Sequence, residues 1–314
     1  MSENIICNVA ISVIGGSDLK LQFGIHVPIH GLYSYKDFLE TSIKADELGF
    51  DYVTVGDHFF LPAESYIRVG GDPSRPDKLD AWTALAALAA KTSKIRIGTR
   101  VSPIPFYLPS RLAKIVATVD IISEGRAIFG VGAGWHREEA VSYGLRWGSH
   151  RERIERMLEG LKIILSLWSK DKVTFKGKYY QVLEAPLWPK PLQKPHPPIW
   201  FGGSSDSILE ATARYGDGLF PLTDMSLEKL QSLHRRLREA EERYEREGAS
   251  TLAPALSHPD GIGTESSEWI KRVEAQIEVG ARVIMIDFTM GTTPPRKARG
   301  FLEKFACEVI PSFS

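Results

Sequence analysis

An amphipathic helix, a glycine, a short apolar strand and a polar or Gly/Pro loop recur along this chain. That alternation limits the fold more than any other feature. Residues 34–48 place Tyr35, Phe38, Leu39, Ile43, Ala45 and Leu48 near helical period, and Gly49 closes the helix before the strand Tyr52–Val55. A helix over 81–90 leads to the strand Ile95–Thr99, and a helix over 111–122, ended at Gly125, leads into Ala127–Phe129. The junction returns at Y-G-D-G-L-F from Tyr215 and at V-G-A-R-V-I-M-I from Val279. Leu21, Tyr52, Ile95, Ala127, Ile199, Leu219, Leu252 and Val283 mark the strands, the seventh (Thr251–Leu256) being the least regular. Strict alternation with aliphatic strands predicts a parallel sheet, and eight such units in 314 residues predict a closed (β/α)8 TIM barrel.

One segment, Lys172–Glu184, departs from the alternation, and three others carry readings of their own. Residues 4–14 read as an extended apolar strand closed by the turn Gly15-Gly16-Ser17-Asp18, so 1–20 form an N-terminal extension to a single barrel domain. Lys172–Glu184 alternates with period two around Lys176-Gly177, which predicts a hairpin within an insertion over 169–197, placed beside the barrel mouth. Leu61–Lys78 reads as a polar loop, and the charged helix from Leu227 to Glu247 as a solvated outer face.

Composition excludes several classes. An apolar fraction of 43% supplies a full core, and 39 basic against 39 acidic residues give no net field for nucleic acid or a membrane surface. Cys7 and Cys307 lie far apart, with no Cys or His at metal spacing, which argues against a disulfide framework or zinc site and suits a reducing compartment. The start M-S-E-N has neither a basic region nor a cleavage site, and no apolar run approaches a membrane span. These readings together predict a soluble cytoplasmic protein with no metal.

In such a barrel, function gathers at the carboxyl ends of the strands. After the second strand, Asp57 and His58 read either as a cap and a loop residue or as an acid/base pair. After the third, Gly98–Pro103 reads as a rigid loop or as a backbone platform under a flat ring. After the fourth come Gly130, Gly132 and Gly134. Their G-x-G-x-G spacing does not match a dinucleotide fingerprint, which leaves a ligand site or plain packing. After the fifth, Gly202, Gly203, Ser204 and Ser205 precede a helix, so they form either a phosphate cradle or a plain N-cap. Asp206 would oppose an anion only if it faced it.

Taken together these residues resemble the bacterial luciferase-like superfamily, from Leu21 to about Ile286. The pieces are F-G-I-H at Phe23, A-D-E-L-G-F-D at Ala45, V-G-D-H-F at Val55, I-R-I-G-T-x-V at Ile95 and G-R-A-I-F-G-V-G-A-G-W at Gly125. F-K-G-K-Y-Y at Phe175, P-P-I-W-F-G-G-S at Pro197 and Y-G-D-G at Tyr215 complete the set. The resemblance implies a barrel with insertions near the mouth, usually dimeric, that binds FMN or the deazaflavin coenzyme F-420.

The branch it most resembles uses F-420 for hydride transfer. That resemblance makes Asp57 a contact of the ring edge and His58 the catalytic acid/base. It puts Gly98, Thr99, Arg100, Val101, Gly132, Ala133, Gly134 and Trp135 around the cofactor, with Gly202, Gly203 and Ser204 at its phosphate. It also implies a non-proline cis peptide at Arg100–Val101, although relatives commonly have a small residue in place of Arg100. Trp135 stands where some relatives have an acidic proton donor, which leaves His58 or Glu138 to supply a proton. The substrate is expected to stack on the Trp135 and Phe59 side, with loops 28–33, 61–78 and 289–295 deciding specificity. The main expectation is therefore an F-420-dependent oxidoreductase. An FMN-dependent monooxygenase fed by a partner reductase is the alternative, and a cofactor-binding barrel without turnover a third.

Overall fold

Strand β1 (Gln22–His26) pairs in parallel with a strand on either side, and every other pairing in the main sheet is parallel too. The structure, a computed structural model, describes residues 20–257, 265–290 and 293–313. The expected strand over 4–14 and its turn lie outside the described residues, as do positions 291 and 292 of the last mouth loop.

The first half of the chain alternates as expected. Helix α1 (Tyr35–Glu47) starts in a capping box in which Ser34 and Asp37 satisfy each other's backbone amides, and it leads to β2 (Tyr52–Val55). The loop read as polar contains a short helix, α2 (Ala63–Arg68), pinned by the fully buried Tyr66. Helix α3 (Ala81–Ala89), capped by Asp80, precedes β3 (Arg96–Thr99) and the short β4 (Ser102–Pro103). Helix α4 (Pro109–Ile122) then leads to β5 (Ala127–Gly132), which is buried throughout.

A short α5 (Arg137–Ser142) and the long α6 (His150–Ser169) follow. The hairpin β6 (Lys172–Lys176) and β7 (Gln181–Pro186) stands where the insertion was expected. It runs along the outside of α6, where the amides of Lys178, Tyr179 and Tyr180 bond to the Glu159 carboxylate. None of its residues lines the cavities at the barrel mouth.

The chain returns through β8 (Ile199–Gly202), α7 (Asp206–Tyr215), β9 (Gly218–Phe220) and α8 (Leu227–Arg243). Helix α8 is not merely a solvated face. Leu230, Leu233, Leu237 and Ala240 form a buried stripe, and the buried Glu241 accepts from the amides of Gly248 and Ser250. The sequence shows its charges first because they outnumber the four core positions of a 3.6-residue period.

The seventh strand is split into β10 (Thr251–Leu252) and β11 (Ala255–Ser257) by Pro254, which has no N–H to offer a ladder. Helix α9 (Ser266–Glu278), β12 (Val283–Asp287) and α10 (Pro295–Glu308) end the fold. β10 pairs with β9 while β11 pairs with β12, and the Met285 amide donates to the Pro254 carbonyl at 2.9 Å. The seventh stave therefore touches both neighbours and closes the ring in the order β1, β2, β3, β5, β8, β9, β10/β11, β12. Tyr52, Ile128, Trp200, Phe220, Val283 and Met285 fill its interior, and a larger apolar layer lies between staves and helices.

One expectation from composition is corrected: Cys307 is not an isolated thiol but is disulfide-bonded. No helix among the described residues is long and apolar enough to cross a membrane.

Candidate functional site

Two adjoining lobes open at the carboxyl ends of the staves, of about 480 Å3 and about 510 Å3, sharing His26, His58, Arg100, Trp135, Thr289 and Met290. The first lobe is lined by the expected Arg100, Val101, Gly132, Ala133, Gly134, Trp135, Gly202, Gly203 and Ser204. The expected Gly98 and Thr99 are buried inside β3 and line neither lobe. The second lobe is lined by residues of the three mouth loops, including Ile29, His30, Leu61, Arg68, Lys78 and Met290.

The peptide bond Arg100–Val101 is cis, as the resemblance implied. The glycines of β5 make room for this turn more than for a ligand. A Cβ on Gly130 would sit 1.8 Å from the Thr99 carbonyl oxygen, and one on Gly132 would sit 2.7 Å from Val101 Cγ2. Gly202 on β8 faces the same Val101 side chain, with a Cβ there meeting Cγ2 at 2.8 Å. The spacing G-x-G-x-G thus admits the end of the third stave, and Val101 is the group held at the floor of the first lobe.

Arg100 extends across the mouth to the eighth stave. Its Nη1 donates to Asp287 Oδ2 at 3.0 Å, and its Nη2 donates to the Pro221 carbonyl at 3.0 Å and Thr223 Oγ1 at 3.1 Å. Its Nε is buried without a partner. Burial opposes the charge of Asp287, yet His26, Arg100 and the hydroxyls of Thr289 and Thr223 hold its carboxyl down at about 2. Burial pushes His26 down to about 4, so at neutral pH the imidazole is uncharged and the compensating cation is Arg100.

His26 Nδ1 lies 2.9 Å from Thr54 Oγ1, whose own hydroxyl donates to the Ile25 carbonyl at 3.3 Å. The proton therefore belongs on Nδ1, which leaves Nε2 an acceptor.

Asp57 and His58 separate. Asp57 turns inward, where it accepts hydrogen bonds from Ser102 Oγ and, at 2.8 Å, from the Tyr107 hydroxyl. Burial raises its carboxyl above the usual range despite those two donors. It lines neither lobe and buttresses the third-stave turn through Ser102.

His58 lines both lobes. Its Nδ1 lies 2.8 Å from Glu139 Oε2, while Glu139 Oε1 accepts from the Phe59 amide. Glu139 is wholly buried. A carboxylate on Nδ1 fixes the ring and leaves Nε2 for the lobes. Glu138, the expected alternative donor, is exposed and lines neither lobe; its neighbour Glu139 is the carboxylate brought to the site.

Trp135 is 61% exposed, stacks on His136 at 5.2 Å and meets His58 edge-on at 5.6 Å. Phe59 does not join it. Its ring stacks on Tyr143 at 4.2 Å beside a cavity of about 140 Å3, away from the two lobes where the substrate was expected to stack on the Trp135 and Phe59 side.

At the start of α7 the plain-cap reading fails, because Ser205 makes no side-chain cap bond and its Oγ is buried without a partner. The Gly203 amide is spent on the Phe220 carbonyl at 3.1 Å, so it is not free as expected. The Ile208 amide donates to the Ser205 carbonyl at 2.9 Å, and the amides of Asp206 and Ser207 ahead of it precede the first intrahelical bond. Asp206 turns away to pair with Arg236. Arg153, absent from the sequence reading, joins the same lobe, its Nε donating to the Gly134 carbonyl at 3.2 Å.

The closed parallel barrel thus brings two adjoining lobes, the His58–Glu139 pair and the start of α7 together at its mouth. The chain belongs to the luciferase-like monooxygenase family, whose model matches residues 20–298. It is 34% identical to the F420-dependent glucose-6-phosphate dehydrogenase of Amycolatopsis mediterranei over 194 residues, 62% of this chain and 55% of that one. It is 32% identical to the FMNH(2)-dependent dimethylsulfone monooxygenase of Pseudomonas putida over 176 residues, 56% of this chain and 46% of that one. The chain thus spans about half the length of the curated relatives it matches. Among solved structures it superposes on an F420-dependent secondary alcohol dehydrogenase bound to an F420-acetone adduct, with a TM-score of 0.76 at 22% identity, covering 94% of this chain and 98% of that one. A monooxygenase from Streptomyces bottropensis gives 0.78 at 23%, covering 94% and 100%. At these identities the superpositions establish the fold. The named relatives are oxidoreductases that differ in cofactor, F420 in one case and FMNH(2) in another.

Proposed function

We propose that this chain is an F-420-dependent oxidoreductase that moves a hydride between the deazaflavin and a small alcohol or carbonyl compound. The observation that carries the reading is the His58–Glu139 pair beside the first lobe. Such a pair suits a reaction in which a substrate oxygen loses or gains a proton as its carbon changes oxidation state.

The residues present fit the cofactor. Val101, Ala133 and Phe220 give an apolar slot, and the unpartnered Arg100 Nε offers a donor inside it. Ser204, the unpartnered Ser205 Oγ, the start of α7 and Arg153 would hold the phosphate. When bound, the deazaflavin supplies the carbon that accepts or gives the hydride. His58 Nε2 takes the substrate's hydroxyl proton in oxidation and returns it in reduction. Glu139 keeps that nitrogen aimed and stabilises the imidazolium formed. Trp135 and Met290, at the border of the lobes, exclude water from the substrate. A cytoplasmic homodimer fits the reading.

The relative named as FMNH(2)-dependent supports a second reading, a monooxygenase that draws reduced FMN from a partner reductase. Anaerobic mixing with F-420 and a panel of secondary alcohols tests the main one. Loss of deazaflavin absorbance with wild type, slowed about 10²–10⁴-fold with His58→Asn, is expected. Turnover only with reduced FMN and oxygen would overturn it.

A further inference from the structure

Lys78 carries a charge that nothing in its surroundings neutralises by contact. It lies where the loop after α2 pairs with His30, and its side chain lines the second lobe on one side and the small cavity beside Asp57 on the other. Each nearby acid is already engaged. Ser102 and Tyr107 occupy Asp57, His58 and the Phe59 amide occupy Glu139, and Asp80 caps α3 by accepting from the Thr83 amide at 2.8 Å. Asp77 is exposed. No carboxylate among the described residues comes within ion-pair distance of the amine. His26 and His30, which face the same lobe, are held neutral at about 4 and about 3, chiefly by burial, and so add no further positive charge beside the amine. His30 Nδ1 is itself buried without a partner. The other charges lining the lobe are Arg68 and Glu64, both exposed, and Arg100, already paired with Asp287.

We propose that the second lobe is the substrate's site and that Lys78 anchors an anionic oxygen group of the substrate, a carboxylate or a phosphate, beyond the carbon that faces His58. The inference rests on reading the adjoining lobe as the redox slot. Lys78 is only half-buried, so water reaches its amine, but a charged group in a cavity wall with no counter-ion gains a contact partner when an anion enters the lobe. Burial lowers this amine to about 8, while Asp57, Glu139 and Asp77 act in the other direction from a distance. An anion bound in contact would raise it. Substrates of this class are hydroxy or oxo acids and phosphorylated alcohols or carbonyl compounds, not neutral ketones.

The test uses the full chain with its lysines reductively methylated with 13C, the Lys78 resonance being the one lost in Lys78→Met. Its titration midpoint is expected to rise on adding acetate or inorganic phosphate, by about one unit if the charged amine binds the anion tenfold better. Neutral acetamide should leave it in place. Lys78→Met should lose anion binding at least tenfold, Lys78→Arg should keep it, and Ser205→Ala should keep it as well. A response to acetate alone marks a carboxylate substrate, and a response to phosphate alone marks a phosphorylated one. A resonance that neither anion moves overturns the proposal. So does phosphate binding that survives Lys78→Met but is lost in Ser205→Ala, which assigns the anion to α7. Failure of F-420 to bind while Lys78 still responds would remove the redox reading and leave the anchor standing.

Discussion

His58 Nδ1 and Glu139 Oε2 lie 2.8 Å apart although 81 residues separate them in the chain. The carboxylate is buried and also holds the Phe59 amide, so the imidazole has one orientation. Replacing Glu139 by Gln keeps the shape and removes the charge that stabilises an imidazolium. Turnover is expected to fall about 10–100-fold, the usual effect of removing such an orienting partner. His58→Asn should cost about 10²–10⁴-fold, the usual worth of a general acid/base. Steady-state rates at saturating cofactor decide this. Equal rates for Glu139→Gln and wild type would show that the pair is structural only.

Arg100 and Asp287 tie the third stave to the eighth across the mouth. Breaking a buried pair by removing one partner leaves an uncompensated charge, typically at a cost of about 3–5 kcal/mol. Asp287→Asn, with Arg100 left in place, should lower the urea-unfolding free energy by that amount. A loss under about 1 kcal/mol, the range of surface pairs, would contradict the burial argument.

Two glycines of one strand should respond differently to the same methyl group. Gly130→Ala drives a Cβ toward the Thr99 carbonyl, a backbone atom that cannot rotate away, whereas Gly132→Ala meets a Val101 methyl. Overpacking costs about 1–3 kcal/mol where side chains can shift and more where they cannot. Gly130→Ala should therefore fall beyond that range and Gly132→Ala within it. Thermal or urea unfolding of the two variants reads the order, and the reverse order would show that the third-stave turn is not packed against β5 as described.

Acid should weaken the fold before the carboxylates are protonated. His26 and His30 have folded values of about 4 and about 3, below the ordinary 6.5. The unfolded chain therefore binds protons that the folded chain refuses between 6.5 and those values. Stability is full above 6.5 and falls as the pH drops, by about 2 kcal/mol per histidine at pH 5. Asp287, held at about 2, adds a further loss only below its unfolded value of 3.8. Urea unfolding at pH 7 and pH 5 should show the slope, and His30→Gln should remove about half of it. A flat profile between those pH values would mean that the two imidazoles are solvated.

Much of the barrel was legible because its signals are local. A helix, its closing glycine and the following strand lie within a few turns of one another, as in Tyr35–Val55. The split seventh stave read as irregular for a physical reason, since Pro254 removes a donor in mid-strand. The cis turn at Arg100–Val101 followed from the resemblance, Gly202–Ser204 stood out by their glycines and serines before a helix, and both stretches lie at the first lobe. What escaped was direction. Asp57 turns inward because Ser102 and Tyr107, 45 and 50 residues on, offer hydroxyls there. Glu139 and Lys78 reach the mouth from segments that read as a charged helix start and a polar loop. No period or spacing within either segment reveals what it faces.

Titration of the cofactor-free protein with coenzyme F-420 and, separately, with FMN, followed by fluorescence, tests the central claim most directly. Saturable F-420 binding tighter than that of FMN is the predicted result. Tight FMN binding with no F-420 binding would contradict it.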